Sequence, residues 1–162
     1  MNPQATHTSF TAILTRFTAA IASGDGTALA ALFLPDGVYV DGFYGASAGR
    51  AAIAHMLTEH FHGAAKDFRW QMRDPVCDGK TGYAHWLFSY TSTIPGAEGR
   101  RCVFEGMSRF ELQDGLIRHY SETFDRGLAL TQLGFAPERI ARSVGRAADR
   151  LRATPEAKPH LT

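Results

Sequence analysis

The stretch FLPDGVYVDG, Phe33 to Gly42, ends a run of strand-forming residues on an acid, Asp41. Aspartate fits a strand poorly, and alternation puts it on the face of the residue two before it, Tyr39. Two later strings also carry reactive groups. In YAHWLFSYTSTI, Tyr83, His85, Leu87 and Ser89 share one face, and Ala84, Trp86, Phe88 and Tyr90 share the other. In LIRHYSETF, Arg118, Tyr120, Glu122 and Phe124 oppose Ile117, His119, Ser121 and Thr123. Alternation does not decide which face looks inward, because a one-residue slip exchanges them.

If Asp41, His85, Tyr120 and Glu122 meet in one cavity, a carboxylate and an imidazole within hydrogen-bond reach trade a proton near neutral pH. The phenol then polarises a carbonyl or hydroxyl. That chemistry suits isomerisation, dehydration or cyclisation without a cofactor. Plainer roles are open to each residue. Asp41 can cap the loop after its strand, and His85 can be a core histidine bonded to a carbonyl or lie on the outer side of the sheet. Tyr120 can simply pack, and Glu122 can pair with Arg118. The enzymatic reading requires Asp41 and His85 to face one another.

Other chemistries find little support. The chain has seven histidines, but His55, His60 and His62 do not share a helix face, and HMLTEH is not the His-Glu-x-x-His zinc pattern. No metal site is therefore expected. No Gly-x-Gly-x-x-Gly, P-loop or Gly-x-Ser-x-Gly string occurs, so no nucleotide cofactor and no serine nucleophile is expected. The two cysteines, Cys77 and Cys102, are far apart and read as free thiols.

The elements that must position these groups follow from periodicity. Phe10, Ile13, Leu14, Phe17 and Ile21 predict a first helix, with Thr8 or Ser9 as its cap and Gly24 as its stop. Asp25 caps a short second helix carrying Leu29, Leu32 and Phe33, ended by Pro35 and Gly37. After the Asp41 strand, a Gly/Ser/Ala loop from Gly42 to Gly49 leads to a third helix with Ile53, Met56, Leu57, His60 and Phe61 on one stripe. The period then changes to two, and Asp-Gly turns divide four long strands into an antiparallel meander. The expected fold class is α+β. Ile140, Val144, Ala147, Ala148 and Leu151 predict an amphipathic helix over residues 137–152 in a basic tail. The expected division is a domain over residues 1–136 and a helical tail over residues 137–162.

At 162 residues, 44% of them hydrophobic and 20% charged, the chain suits one globular domain. A net charge of +1 gives no reason to expect nucleic acid as a partner. No apolar run is long enough to span a membrane, and MNPQATHTSF has no signal-peptide character, so no membrane partner and a cytoplasmic location are expected.

The order of elements, with RFTAAIASGDG, LAALFLPDGVYVDG, GRAAI, RFELQDGLI and YSETFD, resembles the nuclear transport factor 2-like superfamily from Ser9 to Phe135, nearest its SnoaL-like and ketosteroid-isomerase-like branches. The resemblance implies a curved antiparallel sheet wrapped around N-terminal helices, cone-shaped and cystatin-like, with a deep apolar pocket. It places Asp41 at the general-base position and selects His85, Tyr120 and Glu122 as pocket-facing. Phe17, Tyr39, Leu57, His60, Leu87, Ser108 and Phe124 are then the expected substrate-binding residues. An Asp in such a pocket is partly desolvated, which raises its pKa toward the range useful for proton transfer.

Phe17 and Ser108 stand where the isomerase pattern has a tyrosine and a protonated acid, so steroid isomerisation is not implied. Glu122 stands where epoxide hydrolases of the limonene type have an aspartate, but Ser89-Tyr90-Thr91-Ser92 replaces their Arg-x-Asp pair. The implied partner is a small hydrophobic ligand. A homodimer is expected through an outer sheet face carrying Trp86, Phe88 and Tyr90. The alternatives are a non-catalytic ligand binder and a protein-interaction domain of the same fold.

Overall fold

The computed structural model describes residues 3–162, with side chains from residue 9 onward. Helix α1 runs from Pro3 to Ser23. It starts ahead of the Thr8 or Ser9 cap that the sequence suggests, because proline suits a first helical turn. Its stripe of Phe10, Ile13, Leu14, Phe17 and Ile21 is closed to solvent. Gly24, at φ 72°, ends the helix. Asp25 then caps α2 (Gly26–Ala31) by accepting from Ala28 N at 2.8 Å.

Strand β1 (Phe33–Asp41) begins before the Pro35-Asp36-Gly37 signal, which forms a bulge inside it and shifts the register between Phe33 and Val38. Arg50 Nε and Nη2 both donate to the Phe33 carbonyl, at 2.9 and 2.7 Å. The expected Gly42–Gly49 loop contains a short strand, β2 (Gly45–Ala48), antiparallel to β1. Helix α3 (Arg50–His55) continues through a π-helical turn (Met56–Phe61) into α4 (His62–Ala64).

The long strands are β3 (Ala65–Cys77), β4 (Thr81–Ser92), β5 (Arg101–Gln113) and β6 (Leu116–Phe124). The sheet order is β2-β1-β6-β5-β4-β3. Every pair is antiparallel except β1 with β6, which is parallel. Two register shifts bend β3 where it carries Asp67 and Asp74 at positive φ, a conformation that Asp tolerates better than most residues. Helix α5 (Arg126–Gln132) is capped by Asp125 and packs Ala129 against Cys102 of β5. Helix α6 spans Pro137–Arg152, as the sequence predicts, but buries no side chain fully and leaves Leu151 67% exposed. No helix among the described residues is long and apolar enough to cross a membrane.

One expectation is reversed. Ala84, Trp86 and Phe88 of β4 are buried, whereas Tyr83 is exposed and His85, Leu87 and Ser89 are only partly covered. The aromatic face of β4 therefore lines the interior, and the face carrying His85 and Leu87 is the outer one. Burial of apolar surface decides the matter, since Trp86 and Phe88 gain far more from leaving water than His85 and Leu87 do. The proposed dimer surface of Trp86, Phe88 and Tyr90 is consequently not on the outside. Exposed apolar residues of the outer face are Val76, Tyr83, Val103 and Met107.

Phe17 sits at the centre of the packing, stacked on Tyr39 at 5.9 Å and edge-on to Trp70 and Phe110. Phe17→Ala is expected to cost about 3–5 kcal/mol of stability, measured by urea unfolding followed by circular dichroism.

Candidate active site

The parallel pairing of β1 with β6 sets Tyr39 opposite Tyr120 and Val40 opposite Ser121. The next residues of the two strands are Asp41 and Glu122, so the two carboxyl groups lie side by side at the strand ends. Both line the same partly open, largely apolar cavity. Three consecutive amides of the loop after β1 serve both acids. Gly42 N donates to Glu122 Oε1 at 3.1 Å, while Phe43 N and Tyr44 N donate to Asp41 Oδ1 at 2.6 and 2.8 Å. Asp41 thus does cap its loop, through one oxygen, and Oδ2 receives no hydrogen bond from the described residues.

Behind Glu122 runs a short relay. The Tyr120 hydroxyl donates to Glu122 Oε2 at 2.7 Å and lies 2.8 Å from Ser108 Oγ. Tyr120 and Ser108 are both closed to solvent, as is Tyr39, whose ring lies 4.4 Å from that of Tyr120. This aromatic floor removes water from one side of the carboxyl pair. Burial raises the Asp41 pKa, partly offset by the two loop amides. Burial, then the charge of Asp41, pushes Glu122 up to about 8. Burial likewise pushes Tyr44 up to about 12 and holds Tyr39 and Tyr120 as phenols. Both acids are thus shifted toward their neutral forms, Glu122 with the charge of Asp41 as a further cause, so that the two carboxyl groups hold protons more tightly than free acids do.

The cavity wall is almost wholly aromatic. Trp70 of β3 and Phe88 of β4 are paired in register, and Trp86 stands at 5.6 Å from Trp70 in an edge-to-face contact. The wall rings are sunk into glycines. A Cβ at Gly106 would lie 2.5 Å from Trp86 Cζ2, and one at Gly42 would collide with the Phe124 ring. These wall residues were missed because the aromatic face of β4 was set outside. The available signal was the matched alternation of Phe68, Trp70 on one strand with Trp86, Phe88 on its neighbour.

Of the expected site residues, the structure brings together Asp41, Tyr120 and Glu122. Phe124 is in the wall, and Ser108 lies behind Tyr120. Phe17, Tyr39 and Leu57 belong to the core beneath and not to the cavity wall. His60 is exposed at the rim, stacked on Tyr44 at 5.2 Å, where its charge draws the Asp41 pKa down. Leu87 faces outward. His85 is on the outer face too, 3.5 Å from Glu105, so it does not face Asp41 and takes no part in the site. The expected Asp41–His85 proton exchange therefore fails, and with it the form of the enzymatic reading that required those two residues to face one another; the acid that stands beside Asp41 is Glu122. No Arg118 pairing with Glu122 forms. Arg126, 5.8 Å above the Phe43 ring, adds a positive charge near Asp41.

A raised carboxyl pKa fixes the sign of the pH dependence. Between the unfolded value, 4.5, and about 8, the unfolded chain has lost the Glu122 proton while the folded one keeps it. Stability therefore falls as pH rises through that window, by up to roughly 4–5 kcal/mol. Chemical unfolding at a series of pH values should show this decline, and Glu122→Gln should flatten it. Tyr120→Phe removes a donor to the ionised form, so it should raise the Glu122 pKa further, read by the carboxyl signal in a 13C NMR titration.

Residues 14–120 match the family model described as SnoaL-like domain. Among solved structures, a candidate polyketide cyclase from Xanthomonas campestris pv. campestris is 23% identical, with a TM-score of 0.66 over 79% of this chain and 98% of its own. A protein of ketosteroid isomerase-like fold from Catenulispora acidiphila, in complex with trimethylamine, is 20% identical, with a TM-score of 0.69 over 76% and 93%. An LEH-like epoxide hydrolase from M. tuberculosis is 20% identical, with a TM-score of 0.63 over 78% and 90%. No curated protein sequence matches. The likeness to these structures is one of fold. With two thirds of its length matched, including β1 and the helices that close the cone, the chain belongs to the SnoaL-like domain family of the nuclear transport factor 2-like superfamily.

Proposed function

We propose that the cavity performs cofactor-independent acid–base chemistry of the isomerase, dehydratase or cyclase type on a small hydrophobic molecule bearing a carbonyl or hydroxyl group. The observation that carries this reading is the placement of Asp41 and Glu122, from adjacent strands, together in the lining of an aromatic cavity where burial raises both pKa values. Asp41 Oδ2, free of hydrogen bonds from the described residues, takes a proton from carbon. Protonated Glu122 donates to the oxygen on which charge develops, or returns a proton to a leaving hydroxyl. Tyr120, backed by Ser108, holds Glu122 in place. Trp70 and Trp86 keep buried indole N–H groups without an acceptor among the described residues, donors that a ligand oxygen would satisfy.

The second reading, a binder that does no chemistry, is favoured by the scarcity of polar groups in the wall. Deuterium exchange separates the two. Cyclic and aromatic ketones incubated with the protein in D2O should lose their α-proton signal by NMR faster than in buffer. Asp41→Asn should slow this by about 10²–10⁴-fold, and Glu122→Gln by a similar factor. Tight binding of such ketones with no exchange above buffer would leave the binder.

A further inference from the structure

We infer that the cavity is built for a cationic ligand, a molecule whose ammonium nitrogen sits against Asp41 and Glu122 and whose apolar substituents sit against the aromatic wall. This rests on the acid–base site proposed above and names its substrate class, an amine-bearing member of the carbonyl or hydroxyl compounds.

The charges of the wall support it. Two carboxylates line the cavity, and no lysine, arginine or histidine does. Among the described residues, neither acid has a basic side chain within salt-bridge distance. The groups that face the pair from neighbouring elements are few. Arg126 lies over Phe43 from α5, His60 is stacked on Tyr44 at the rim, and Tyr39, Tyr44 and Tyr120 are phenols. The lining thus holds two acids and no base, and a cation bound between them would favour their ionised forms and offset the charge that burial penalises.

The rings act in the same direction. Ten aromatic residues line the cavity with the two acids, and aromatic faces attract a cation while repelling an anion; the Phe43 ring already carries the Arg126 guanidinium at 5.8 Å. The open lone pairs of Asp41 Oδ2 accept an ammonium N–H or sit against the polarised methyl groups of a quaternary nitrogen. A neutral ligand of equal shape gains the ring contacts but leaves the charge uncompensated. An anionic one meets repulsion from both acids and rings.

The protein carries its own reporter, because its two tryptophans, Trp70 and Trp86, both line the cavity. Full-length protein near neutral pH is titrated with benzyltrimethylammonium and with neopentylbenzene, the uncharged isostere with carbon in place of nitrogen, following tryptophan fluorescence. The ammonium compound should bind about 10-fold tighter or more. In the double variant Asp41→Asn, Glu122→Gln, with folding verified by circular dichroism, the preference should shrink to within about 3-fold. Glu122→Gln alone, as the milder change, should retain part of it. Equal affinity for the two probes, absence of binding by both, or a preference undiminished in the double variant would each overturn the inference. Deuterium exchange is a separate readout. Exchange without cation preference removes only the ligand class, and cation preference without exchange removes only the chemistry.

Discussion

The site depends on one pairing, the parallel contact of β1 with β6. Among the described residues it is the only parallel pair in an otherwise antiparallel sheet. It brings an acid that ends one strand beside an acid near the end of another, far away in sequence. The same register lays Tyr39 against Tyr120 below them. The carboxyl pair and the dry floor that perturbs it are therefore consequences of a single alignment. A slip of β1 by one residue would turn Asp41 out of the cavity and leave Glu122, held by the pairing of β6 with β5, without its neighbour.

Two ionised carboxyl groups on neighbouring strands repel unless one keeps its proton or both are held by donors. The fold supplies donors through backbone. The amides of Gly42, Phe43 and Tyr44 divide between the two acids, and the turn that presents them is fixed by the β1–β2 hairpin. Side-chain support comes only from the Tyr120 hydroxyl, itself anchored by Ser108. The pair is thus stabilised enough to persist in the folded chain, yet short of the full compensation that would make both acids permanently ionised.

Much of the architecture was legible because periodicity is a local signal. The stripe of α1, the meander of four strands and the span of α6 all follow from spacing. Asp41 was legible because an acid at the end of an apolar strand is an anomaly. What escaped has physical causes. β2 is built from Gly, Ala and Ser, which carry no strand preference of their own. The π-helical turn at Met56–Phe61 leaves no mark on a helical stripe. Alternation leaves the inner face of β4 open, and it is the family resemblance that sets the His85 face inward. Counting apolar area on each face would have placed Trp86 and Phe88 inside and His85 outside. The union of Asp41 with Glu122 is a long-range pairing that no short window contains, and it became visible only with the sheet order.

The recessed rings at Gly42 and Gly106 limit how this cavity can change. Phe124 and Trp86 occupy the volume that a side chain at those positions would take, and they rest directly on main chain. The dimensions of the cavity are accordingly set by backbone, which cannot move aside as a rotamer does. Adding bulk at either glycine drives a ring inward and closes the space, whereas trimming a ring enlarges it without disturbing the acids. Within this family architecture, divergence toward larger ligands has an easy direction, replacement of wall aromatics by smaller apolar residues, and it leaves the two acids untouched.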